Sequence, residues 1–65
     1  PRQLKSALRK HNAGLVLELV RFTGLSHKEV NGKLNRLVGI GKVDDASVAQ
    51  LEKRAQQATR WLTQL

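Results

Sequence analysis

The chain has 65 residues, with 12 Lys and Arg against 5 Asp and Glu, for a formal net charge of +7 at pH 7. A domain of about 60 residues buries only roughly 60% of the surface its unfolded chain exposes, which leaves little depth for an enclosed active site and argues against a self-contained enzyme. With no cysteine, neither a disulfide framework nor a thiolate zinc site can supplement the core, while 40% hydrophobic residues are too many for wholesale disorder. Methionine is absent and the chain begins Pro1-Arg2-Gln3, so the expectation is a single helical domain over residues 1–65 that is a piece of a longer protein. No apolar run approaches the ~20 residues of a membrane span; Leu15-Val16-Leu17 ends at Glu18. Charge and helicity alone would admit a cationic membrane-active peptide, but a mean hydropathy of −0.40 gives little incentive to leave water. No membrane partner and a cytoplasmic location are therefore expected.

In chain order, Leu4, Leu8, Leu15, Leu19 and Phe22 fit one helical stripe, widened by Val16 and Val20. His11-Asn12-Ala13-Gly14 interrupts it. Either Asn12 caps a new helix running to Thr23, or the stretch lies within one long helix that tolerates Gly14. A break or kink is the expectation, separating a basic helix or arm over 1–12 from a helix over 13–24. Gly24 then marks a tight turn. Ser26-His27-Lys28-Glu29 has the form of a capping box opening a helix over 26–38, with Leu25 and Val30 at the staple positions. Val30, Leu34, Leu37 and Val38 share one face of it, and Gly39 stands where a left-handed C-cap belongs. After a loop from Gly41 to Asp45, Ser47 to Gln50 repeats the capping box and opens a helix over 47–65. Along it Val48, Leu51, Ala55, Ala58, Leu62 and Leu65 recur at steps of three and four, a heptad-like seam. The predicted class is all-α: a small three- to four-helix bundle with its apolar stripes inward, containing a helix-turn-helix-like αα-hairpin.

The inventory for catalysis is poor. His11 and His27 each lack a second metal ligand at i+3 or i+4, and Asp44-Asp45 suits the start of the last helix through its dipole. Gly39-Ile40-Gly41-Lys42 is too short for a phosphate loop and lacks a hydroxyl residue after the lysine. No catalytic residue, metal ligand or cofactor site is predicted.

Charge is more informative, because residues 1–12 hold Arg2, Lys5, Arg9 and Lys10 with no acid. Arg2, Lys5 and Arg9 recur at helical spacing, a stripe suited to phosphate contact and counterion release; its alternative is solvation of an exposed helix, or a linker to the rest of a larger protein. On the second helix, Lys28, Gly32, Asn35 and Arg36 fall opposite the apolar face with Asn31 at the margin. Asn and Arg make bidentate contacts to adenine and guanine, and Gly32 permits close approach. The match to a groove-reading helix-turn-helix is imperfect: Val20 stands where a small residue is usual, Lys33 where an apolar one is usual, and Leu34 falls one place late.

Trp61 lies beside the C-terminal seam next to Leu62. Half-buried packing in the bundle is one role for it; docking a partner protein, with Leu62 and Leu65, is a sharper one. Base stacking is weaker, because no second aromatic completes a platform.

Residues His11-Asn12, Thr23 to Asn31, Leu34-Asn35-Arg36, Gly39-Ile40, Gln50-Leu51 and Trp61-Leu62 together give the stretch from about His11 to Leu62 a resemblance to a small C-terminal helical accessory domain of bacterial, especially actinobacterial, superfamily 2 DEAD/DEAH-type helicases. A looser similarity is to the C-terminal helical domain of phage antirepressors. The helicase resemblance implies that the ATPase motifs lie elsewhere in a parent protein and that this piece engages substrate or docks a partner; it assigns no catalytic role to any residue here. The leading expectation is a non-catalytic nucleic-acid-binding accessory module, for DNA before RNA, using Arg2, Lys5, Arg9, Lys10, Lys28, Asn31, Asn35 and Arg36. The alternative is a protein-interaction or oligomerisation module that meets parent-protein domains or a second copy through Trp61, Leu62 and Leu65.

Overall fold

The computed structural model describes the backbone from Arg2 to Leu65 and the side chains from Gln3 onward. Three helices, α1 (Arg2–Thr23), α2 (His27–Val38) and α3 (Val48–Thr63), form an all-α bundle, with a single 3-10 turn at Val43–Asp45 between the last two. No strand occurs among the described residues.

The expected break at residues 11–14 is absent: the expected basic arm and the helix after it are joined in one continuous helix, Arg2–Thr23. At about 1.5 Å per residue, the 22 residues of α1 span the 34 Å long dimension of the molecule. Asn12 does not cap a new helix. It is 1% exposed, and its Nδ2 donates to the Leu8 carbonyl one turn earlier at 2.8 Å and to the Leu51 carbonyl of α3 at 3.1 Å. A tertiary partner thus uses the side chain that one of the two sequence readings made a helix cap. Gly14 has ordinary helical backbone and open space around it, and α3 ends at Thr63, short of the expected residue 65.

The other ends follow local chemistry. Gly24, at φ +76°, makes the turn after α1, and its N–H donates to the Val20 carbonyl at 3.0 Å. Ser26 caps α2 by accepting from the Glu29 N–H at 3.1 Å, although only this half of the expected box is present. Gly39, at φ +71°, closes α2: its N–H bonds the Arg36 carbonyl and the Ile40 N–H bonds the Asn35 carbonyl, the paired pattern that satisfies orphan carbonyls. Ser47 and Gln50 complete a reciprocal box at the start of α3, with bonds of 3.1 and 2.9 Å.

Val16, Leu19, Val30, Leu34 and Ala58 make the buried cluster, and Leu15, Val20, Leu25, Trp61 and Leu62 pack against it. Leu51, Ala55 and Ala46 are buried as well. Truncating a core leucine such as Leu19 or Leu34 to alanine removes transfer energy and leaves a cavity, at a cost of about 2–5 kcal/mol. Four residues expected on inward stripes lie outside the core: Leu4, Phe22, Leu37 and Leu65 are exposed, Phe22 at 66%. The real inward face of α1 runs through Asn12, Val16 and Leu19, so Leu4 and Phe22 fall on its margin, where the shorter neighbours do not cover them.

Candidate nucleic-acid interface

A polar cluster that the sequence stripes did not reveal lies beside the apolar core. Arg54 of α3 is 1% exposed. Its Nη1 donates to Oδ1 of Asn12 on α1 at 2.9 Å, its Nη2 to Oδ1 of Asn31 on α2 at 2.7 Å, and its Nε to Oδ1 of Asn35 on α2 at 2.9 Å. One planar fork therefore ties three helices together. No carboxylate pairs with it among the described residues. Burial lowers the Arg54 pKa from the ordinary guanidinium value by desolvation, but a guanidinium remains protonated in proteins. Three charge-assisted bonds to neutral amides offset the desolvation without burying a second ion. Asn35 lies in the last turn of α2, whose dipole is negative at that end, which also favours a cation there.

This cluster decides what the predicted interface residues can do. The Oδ1 atoms of Asn31 and Asn35 both accept from Arg54, and Nδ2 of Asn35 donates to the Gly41 carbonyl at 3.4 Å. Both side chains are half-buried, so the amide edges suited to bidentate base contact are engaged inside the bundle. Lys28 and Arg36 stand exposed on α2 two turns apart, with half-buried Gly32 between them, and Arg36 Nε rests on the Gly32 carbonyl at 3.4 Å. On α1, Lys10 is exposed and Lys5 half-buried. Arg9 pairs with Asp44 at 3.3 Å, so the loop before α3 covers part of the basic stripe with an acid. The side chain of Arg2 lies outside the described residues.

Of the predicted docking residues, Leu62 and Trp61 are half-buried and pack against the core, while Leu65 is exposed. The interior of the seam, Leu51, Ala55 and Ala58, is buried within the chain's own bundle. Lys33 places its Nζ 4.3 Å from the centroid of the Trp61 ring. The lysine that departs from a helix-turn-helix pattern thus has a structural partner. The detectable signal for Arg54 was its place in the series Leu51, Arg54, Ala58 and Trp61, at helical steps on an otherwise buried face.

Among the described residues no group of three or more His, Asp or Glu is arranged to hold a metal, and no helix is long and apolar enough to cross a membrane. No protein-family model matches the chain, and comparison with curated proteins and with solved structures finds no match.

Proposed function

We propose that this chain is a non-catalytic nucleic-acid-binding module that contacts phosphates without reading bases through α2. The observation that carries this reading is the uncompensated charge: 12 Lys and Arg stand against 5 acids, and Arg9–Asp44 is the only ion pair among the described residues. Self-repulsion on so small a surface works against the compact state, whereas a polyanion relieves it and releases counterions on binding. Among the described side chains of the predicted set, Lys10, Lys28 and Arg36 are exposed cations without an acidic partner. The resemblance to helicase accessory domains agrees with a DNA partner and a cytoplasmic setting, as one part of a larger protein.

The test is fluorescence anisotropy with labelled duplex and single-stranded DNA at about 50 and 200 mM salt. Several phosphate contacts predict a steep, log-linear loss of affinity between the two conditions. No binding of either form at the lower salt overturns the reading.

A further inference from the structure

Trp61 is the only tryptophan in the chain, and it lines a cleft between α2 and α3. Lys33 and Leu37, one turn apart on α2, form one wall; Gln57 and Arg60 of α3, with Gln64 just past its end, form the other. No acidic residue lines the cleft. Lys33 and Arg60 are both exposed and unpaired among the described residues, so the cleft brings two cations and two carboxamides together around a half-buried aromatic ring.

These groups together suit a ligand that alternates negative charge with flat rings bearing hydrogen-bonding edges. An acidic peptide would use the cations but not the indole. A duplex would offer phosphates but keeps its bases stacked away from a side chain. A single strand uses all three: its phosphates reach the cations, an unstacked base reaches the ring, and the glutamines reach base edges. Lys33 occupies the ring face in the free chain through a cation–π contact, which at an exposed site is weaker than base–aromatic stacking. The ammonium can therefore leave the ring for a phosphate as a base takes its place. We infer that the α2–α3 cleft is a binding site for single-stranded nucleic acid, in which one base stacks on Trp61 while Lys33 and Arg60 hold the flanking phosphates. This inference rests on the nucleic-acid reading above but names a different surface from the α1 stripe and the outer face of α2.

The experiment uses the 65-residue chain and follows Trp61 emission during titration with single-stranded oligo(dT), alongside anisotropy of the same strand carrying a label. Duplex DNA, polyphosphate and polyglutamate serve as the other ligands. The expected result is quenching of Trp61 that saturates with the anisotropy for the single strand and is absent with polyphosphate. Arg60→Gln and Lys33→Gln, both at exposed positions, should each weaken single-strand binding about three- to tenfold at low salt, with helicity unchanged by circular dichroism and duplex affinity preserved. A strand that binds by anisotropy with Trp61 emission and both variants unaffected overturns the cleft and leaves the broader nucleic-acid reading standing. Quenching by polyglutamate, with no nucleic acid bound at about 50 mM salt, overturns both and makes an acidic peptide the occupant.

Discussion

Arg54 and Asn12 are 42 residues apart in sequence, yet Nη1 of one donates to Oδ1 of the other at 2.9 Å where the three helices meet. Both are 1% exposed, and Asn12 in turn holds the Leu51 carbonyl of α3. A buried cation bound only by neutral amides makes the bundle depend on hydrogen-bond geometry at one point. Replacing Arg54 by Met removes three donors and strands the Asn12 oxygen away from water. The expected loss is about 2–4 kcal/mol, measured by urea unfolding followed by circular dichroism. A loss below ~0.5 kcal/mol, the size of a typical surface substitution, would show that the cluster does not hold the helices together.

Asn31→Asp tests the same cluster in the stabilising direction. The substitution keeps an oxygen beside Nη2 of Arg54, now 2.7 Å from Oδ1, and adds the missing negative charge at a half-buried position. The expected gain is about 1 kcal/mol at neutral pH. Beside the guanidinium the new carboxylate titrates below the ~3.9 of a free aspartate. The gain is thus fully present above the unfolded value and is lost as pH falls through the lower folded value. Urea midpoints at pH 7 and pH 2 decide this: a gain that persists at pH 2 cannot come from the ion pair.

The continuity of α1 has its own test. Gly14 is mid-helix with nothing within 4 Å of an added Cβ, so Gly14→Ala should stabilise by about 0.5–1 kcal/mol through a less entropic unfolded state. Gly39 has equal space but a φ of +71°, and Gly39→Ala should cost about 1–2 kcal/mol. Thermal unfolding of the two variants should shift the midpoint in opposite directions. A destabilised Gly14→Ala would indicate a break at that position.

Arg9 and Asp44 form an exposed pair, with side chains 43% and 82% accessible. Exposed pairs contribute about 0–1 kcal/mol, so Asp44→Asn should leave stability nearly unchanged. It also removes an acid from the basic stripe and frees Arg9 for phosphate. DNA affinity at about 50 mM salt should therefore rise, with a steeper salt dependence; an unchanged affinity and slope would take Arg9 out of the interface.

Sequence alone determined the features that act over a few residues. Ser26 and Ser47 cap their own helices, Gly24 and Gly39 take the positive φ that their turns require, and the spacing of Val30 with Leu34, or Leu51 with Ala55 and Ala58, marks buried faces. Each signal is complete within one or two turns of chain. The excess of positive charge was equally legible, because composition sets it. Tertiary structure alone decided the use of Asn12, Asn31 and Asn35. An asparagine can cap, read a base or accept from a buried guanidinium with the same atoms, and the choice depends on Arg54 arriving from a helix 19 to 42 residues away. The same holds for Lys33, which along α2 reads only as a lysine where a helix-turn-helix would have an apolar residue, and which lies over Trp61 only when α3 packs beside it. Local chemistry therefore set where the helices begin and end, whereas packing at a distance selected which polar residues are held inside the bundle and which face solvent.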